Sequence, residues 1–203
     1  MSAELWLAGE PLVLASGSKI RQALLSAAGV PVEVRPADLD ERALENAAPP
    51  DPSAIAVFLA RAKASAVAKS GPGRLTLGAD QVLALGSERF SKPADRAAAW
   101  AQLRALRGKT HELHSAVAFV QDGTVLFEHV SVARLTMRDC SDQFLDLYLD
   151  AIGGTATVSV GAYQLEGLGV QLFERIDGDY FTILGLPLLE ALDFLRRHGS
   201  LAP

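Results

Sequence analysis

The first apolar run, Pro11-Leu12-Val13-Leu14-Ala15, is bounded by Pro and by Ser16-Gly17-Ser18, which predicts a short buried strand. Ser18 then stands where an N-cap belongs, ahead of Ile20, Ala23, Leu24 and Ala27 at helical spacing, and Gly29 gives the stop signal. The chain therefore opens strand, Ser-rich turn, helix. A second strand is expected at Val32 to Val34, leading into the acidic loop Asp38-Leu39-Asp40-Glu41. The Pro-rich stretch Ala47-Ala48-Pro49-Pro50-Asp51-Pro52 reads as a loop before a helix capped by Ser53. That helix runs to about Ser70 with Ile55, Phe58, Leu59, Ala62 and Ala66 on one face.

Further along, Leu75 to Ala79 reads as a third strand that ends in Asp80, with another apolar run at Val82 to Leu85 and a turn at Gly86-Ser87. Pro93 starts a helix to about Leu106. Two long alternating segments, Thr110 to Gln121 and Thr124 to Leu135, are joined by Asp122-Gly123, a strong hairpin signal. Ser141 caps a helix through Leu149, Asp177-Gly178 marks a second hairpin, and Pro187 opens a closing helix through Arg197. Early alternation of helices and strands followed by hairpins predicts an α/β fold with a mixed sheet flanked by helices, not a purely parallel one.

Composition narrows the class. The 203 residues suit one domain or two closely joined lobes, and a chain of that length needs no disulfide or zinc to build a core. The single cysteine excludes a disulfide framework and any Cys-x-x-Cys pair, and a lone thiol fits a reducing cytoplasm. No secretory signal pattern opens the chain, and no window reaches the roughly 18 apolar residues of a membrane span. A net charge of -5 without Lys/Arg clusters argues against a nucleic-acid polymer as partner.

Chemistry could sit first at Ser16-Gly17-Ser18-Lys19-Ile20-Arg21, where a strand end meets a helix start. Backbone N–H groups and the positive helix end there suit a phosphate, helped by two hydroxyls and the Arg21 guanidinium. An N-cap beside a solvated arginine explains the same residues. Second, Asp80 follows a buried strand, which suits a metal ligand or a general base as well as a plain turn residue. The acidic run through Glu41 could add a hard oxygen ligand for Mg2+ or Mn2+, although such runs are usually solvated. Only five of the nineteen bases are lysines, and Lys63 lies on an Ala-rich helix where an apolar residue would be expected. Lys92 precedes Pro93 in an extended loop.

Other matches fail. Gly108-Lys109-Thr110 lacks the earlier glycine of a P-loop, and a helix precedes it instead of following. His111 and His114 are three apart on an expected strand, hence on opposite faces. Thr157 stands where the first glycine of a nucleophile elbow around Ser159 belongs. Cys140 has no neighbouring His and reads as a packed residue, and Asp146 with Asp150 as a wet helix face.

Taken in order, the segments resemble the Maf family of nucleoside triphosphate pyrophosphatases, of inosine-triphosphatase-like (Maf/Ham1) architecture. The matching stretches are Leu12-Val13-Leu14-Ala15-Ser16-Gly17-Ser18-x-x-Arg21, Asp40-Glu41, Leu59-Ala60-x-x-Lys63-Ala64, Leu77-Gly78-Ala79-Asp80-Gln81-Val82, Lys92-Pro93, Leu106-x-Gly108-x-Thr110-His111, Ala162-Tyr163-x-x-Glu166-Gly167 and Gly185-Leu186-Pro187-Leu188. The resemblance implies one domain over residues 1–203, with two lobes around a central cleft. It implies hydrolysis of a free nucleoside triphosphate between the α and β phosphates with a divalent cation, Mg2+ or Mn2+, in the cytoplasm. Ser16, Ser18, Arg21, Lys63 and Lys92 would bind phosphate, Glu41 and Asp80 the metal, and Asp80 would activate water. A homodimer, and a nucleotide-binding role in septum formation with little turnover, are also open by the same resemblance.

Base choice would fall to Ile20, Gln81 and Glu166. The branch acting on dTTP and UTP has Arg, Thr and Gln at these three places. A carboxylate at Glu166 would repel both carbonyl oxygens of uracil, whereas guanine offers it two adjacent donors. Gln81 with Glu166 resembles the branch acting on 7-methyl-GTP, which has Trp at the Ile20 position, so Ile20 departs from that pattern too.

Overall fold

The computed structural model describes residues 5–41, 43–44 and 48–203. Strand β1 (Leu12–Leu14), helix α1 (Lys19–Ala27) and strand β2 (Val32–Val34) form a crossover unit, with β1 and β2 parallel and Leu12 opposite Val32. Helix α2 (Pro52–Ala68) returns the chain to β3 (Thr76–Leu85), which pairs in parallel with β1, Val13 opposite Thr76. A tight turn then folds β4 (Glu88–Phe90) back antiparallel on the end of β3. After α3 (Arg96–Leu106) come β5 (Thr110–Gln121) and β6 (Thr124–Met137), α4 (Asp142–Ile152), β7 (Phe173–Asp177), the single turn α5 (Tyr180–Ile183) and α6 (Leu188–Arg197). The strand order is β2-β1-β3-β5-β6-β7, with β4 paired to β3 as the seventh strand. The fold is thus the expected mixed α/β sheet with helices.

Residues group into two compact units. Among the described residues, the first comprises those within 5–81, 115–131 and 185–203 and the second 82–114 and 132–184, so three of the boundaries fall inside β3, β5 and β6 and the fourth between α5 and α6. In the first, β1 is fully buried and α2 lays Ile55, Ala56, Leu59, Ala60, Lys63, Ala64, Val67 and Ala68 inward. In the second, Leu103 and Leu106 of α3, Leu135 and Met137 of β6, and Leu145 and Leu149 of α4 share one core with Leu83 and Tyr163. No helix among the described residues is long and apolar enough to cross a membrane.

Several elements came out as the pattern predicted. Ser18 caps α1 and Gly29 ends it in a left-handed turn, Ser141 caps α4, and Asp122-Gly123 closes the β5/β6 hairpin with positive φ at both residues. Others differ. Helix α2 is capped by Asp51, whose carboxylate accepts from the Ala54 N–H at 2.8 Å, so Ser53 lies inside it. Pro52 sits in the first turn, where its missing donor does not matter. Asp95, not Pro93, opens α3, by accepting from Ala98 at 2.8 Å. Asp177-Gly178 does not start a hairpin, because Asp179 next to it caps α5 instead. The buried face of α2 is rotated from the one expected, leaving Phe58, Ala62 and Ala66 half-buried. Its alanines at 56, 60, 64 and 68 turn inward instead, which lets the helix lie closer than large side chains would permit.

Candidate active site

The turn after β1 is built around Ser16 and Arg21. Ser18 accepts the Arg21 backbone N–H at 3.4 Å as the N-cap of α1. Ser16 Oγ accepts from the Ser18 N–H at 3.3 Å and from Arg21 Nη1 at 3.0 Å. A hydroxyl has two acceptor lone pairs and one proton, so Ser16 is left with its O–H to give, as a phosphate oxygen requires. Arg21 is buried, with Nε donating to the Gly185 carbonyl at 2.7 Å and Nη1 also to the Ala79 carbonyl at 2.9 Å. Strand β1 explains the last contact. Its backbone pairing with β3 finishes with the Ala15 N–H on the Leu77 carbonyl at 2.8 Å, so the Ala79 carbonyl lies past its end and the guanidinium takes it. Nη2 has no acceptor among the described residues, which leaves one nitrogen, not a two-nitrogen fork, to meet an anion. Burial pulls the Arg21 pKa down, opposed by the charges of Asp80 and Glu41.

Asp80 does not end a strand. Strand β3 runs unbroken from Thr76 to Leu85 and holds Asp80 near its middle, 6 % exposed. Alternation puts Gly78 and Asp80 on one face. A β-carbon at Gly78 would stand 2.0 Å from the Ala60 carbonyl oxygen and 2.7 Å from the Ala64 nitrogen, so this face lies directly under α2. Lys63, between those alanines on the buried stripe, meets the next residue on the face. Its Nζ donates to Asp80 Oδ1 at 2.6 Å and lies 3.1 Å from Glu41 Oε1. Burial raises the Asp80 pKa most, while Lys63 and then Arg21 pull it down. The first unit therefore brings together Ser16, Ser18, Arg21, Glu41, Lys63 and Asp80, with Glu41 the exposed member.

Gln81, on the opposite face of β3, donates from Nε2 to Ser115 Oγ at 2.9 Å, and Ile20 is half-exposed on α1. Lys92 and Glu166 are carried by the second unit, both exposed. There, Tyr148 donates to the Ala162 carbonyl at 3.2 Å, its phenol pushed up by burial and then by the Glu166 charge. His111 and His114 diverge as strand alternation requires. His111 Nε2 is 2.7 Å from Tyr163 Oη, and His114 Nε2 lies 3.2 Å from Glu112 Oε2. Sequence reasoning missed Ser115 and the Gly185 carbonyl. A lone serine in an apolar strand and a backbone oxygen carry no periodic signal.

No cluster of three His, Cys, Asp or Glu that could hold a metal occurs among the described residues. Asp80 and Glu41 offer hard carboxylate oxygens around one point, the Lys63 ammonium. Two carboxylates are hard oxygen donors of the kind that suits Mg2+ or Mn2+ and suits a soft or thiolate-bound metal poorly.

The family model described as Maf-like protein matches residues 11–198. A nucleoside triphosphate pyrophosphatase from Rhodopseudomonas palustris is 57 % identical over 199 residues, 98 % of each chain. One of the same name from Bradyrhizobium diazoefficiens is 55 % identical, again over 98 % of each. A 7-methyl-GTP pyrophosphatase from Mesorhizobium japonicum is 52 % identical over 95 % of this chain and 98 % of its own. A solved dITP/XTP pyrophosphatase from Mycobacterium abscessus aligns over 94 % of this chain and 95 % of that one, at 16 % identity and a TM-score of 0.42.

Proposed function

We propose, on the premise that this chain belongs to the Maf-like protein family, that it hydrolyses a nucleoside triphosphate at the α,β phosphoanhydride to monophosphate and pyrophosphate. The observation that carries this reading is the buried Asp80–Lys63 pair beside the Ser16–Arg21 turn. A triphosphate brings about four negative charges, and phosphoryl chemistry asks a protein mainly for charge and position. Lys63, the Arg21 Nη2 and the hydroxyls of Ser16 and Ser18 meet the phosphate oxygens, with Lys92 added by the motif match. A divalent cation, when held by Glu41 and Asp80, supplies further neutralisation of that charge. Asp80, whose pKa is raised by burial, takes the proton of the attacking water. The new P–O bond forms at the α phosphorus as the bridging bond breaks, and pyrophosphate departs.

The base preference is guanine-like, with 7-methyl-GTP as the finer reading. It rests on the chemistry of Glu166, which suits the paired donors of guanine and repels the oxygens of uracil or thymine. The Mesorhizobium relative named for 7-methyl-GTP lends it support.

The test is pyrophosphate release from 7-methyl-GTP, GTP, UTP and dTTP with Mg2+ or Mn2+, for the wild type, Glu166→Gln and Asp80→Ala. Guanine-type bases should lead, Glu166→Gln should raise pyrimidine use relative to guanine, and Asp80→Ala should bind nucleotide without releasing pyrophosphate. A wild-type preference for UTP or dTTP refutes the base reading. Full activity in Asp80→Ala removes Asp80 from the mechanism, and wild-type binding without release favours a septum-type nucleotide sensor.

A further inference from the structure

We infer that in the nucleotide-free protein the Lys63 ammonium fills the place between Asp80 and Glu41 that the divalent cation takes during turnover, so that metal enters with the nucleotide and not before it. The inference rests on the pyrophosphatase reading above, and its observations are geometric. Lys63 Nζ lies within hydrogen-bond reach of one oxygen of each carboxylate, at 2.6 Å for Asp80 and 3.1 Å for Glu41, so the ammonium occupies the space that both oxygens face. The ammonium is held there by its helix, because Ala60 and Ala64 on either side pack against Gly78 of β3.

Charge counting favours the same order of events. Among the described residues, Arg21 and Lys63 balance Asp80 and Glu41, so these four charges sum to zero. A divalent ion arriving alone would place two positive charges against an ammonium in a poorly hydrated site, where such repulsion is strong. A triphosphate changes the balance by offering Lys63 new acceptors, and the flexible lysine stem lets Nζ swing from carboxylates to phosphates.

The test reads Mn2+ binding by calorimetry or by the resonance of free Mn2+, in the absence of nucleotide. Replacing Lys63→Met should tighten Mn2+ binding by about tenfold or more, since it removes a unit charge at contact distance. Lys63→Arg, which keeps a cation in place, should stay at the wild-type level, and Lys63→Met combined with Asp80→Asn should lose the gain. Equal or weaker Mn2+ binding in Lys63→Met overturns the inference and leaves Lys63 as a structural counterion to a buried carboxylate. Should Lys63→Met fail to fold, the wild type decides. Mn2+ should raise its melting temperature only together with the α,β-methylene analogue of GTP, and an equal rise with Mn2+ alone overturns the inference. Wild-type pyrophosphate release, measured on the same preparation, separates the two readings. No release from any nucleotide together with tighter Mn2+ binding in Lys63→Met removes the pyrophosphatase reading and leaves the exchange standing. Normal release with unchanged Mn2+ binding removes the exchange alone.

Discussion

Gly78→Ala tests whether the close approach of α2 to β3 is what aims Lys63. A β-carbon there would lie 2.0 Å from the Ala60 carbonyl oxygen, 2.7 Å from the Ala64 nitrogen and 3.0 Å from the Ala64 β-carbon. Carbon–oxygen contacts in proteins settle near about 3.3 Å, so the helix must withdraw by roughly 1 Å or more. The two nearest atoms are backbone, so no change of rotamer relieves the overlap. Overpacking of this kind usually costs about 1 to 3 kcal/mol, and a backbone clash belongs at the upper end. At about 2 to 4 °C per kcal/mol for a chain of this size, the melting temperature should fall by roughly 6 to 12 °C. The same withdrawal moves Lys63, one turn beyond Ala60, off its 2.6 Å contact with Asp80. A displacement of about 1 Å among reacting groups can lower a rate by about a hundredfold. Urea denaturation and pyrophosphate release on the same preparation measure both effects. Gly154→Ala is the stability control, since a β-carbon there meets nothing within 4 Å and should change stability by less than about 0.5 kcal/mol. If Gly78→Ala unfolds within about 1 kcal/mol of the wild type and keeps its rate, the strand–helix contact does not position Lys63 and the account of the site falls.

Two further substitutions probe each unit separately. Arg21→Lys keeps the charge but cannot span the Ala79 and Gly185 carbonyls and Ser16 at once, so urea denaturation should show a loss of about 2 kcal/mol or more; unchanged stability would show that these carbonyls find other donors. His111 is fully buried and burial lowers its pKa to about 4, below its ordinary value of 6.5. Between those values the unfolded chain binds the proton and the folded one does not, so stability falls as pH drops from 6.5 towards 4, by up to about 3 kcal/mol. His111→Gln should flatten that slope in denaturation curves taken across this range, and an unchanged slope would assign the acid sensitivity to other groups.

The early crossover, the capped α1 and the long hairpin were legible because each rests on a local rule: a Ser at an N-cap, a Gly past a helix end, Asp-Gly between alternating runs. Asp80 was misplaced for the opposite reason. A carboxylate after Leu77-Gly78-Ala79 reads as a strand terminus, because nothing in the neighbouring sequence compensates it. The compensating group is seventeen residues earlier, on a helix whose inward face is set by alanines meeting a glycine. Lys63 did stand out as an anomaly on an apolar helix. Arg21 was found as a charge near a turn, but its hydrogen bonds to two carbonyls depend on where β1 stops, which periodicity does not fix.

A carboxylate in the middle of a buried strand is tolerable only while a cation stands beside it, since an unpaired buried charge is strongly destabilising. Lys63 meets that need, with Arg21 adding a second charge nearby. The groups that keep β3 continuous through Asp80 are therefore the same ones assigned to the phosphates. Substrate cannot draw Lys63 away unless another cation reaches Asp80 at the same moment, or the strand would be left holding a bare charge. Stability and catalysis are thereby tied to one exchange, and a variant that frees Asp80 for chemistry by deleting Lys63 should lose stability until metal replaces the ammonium.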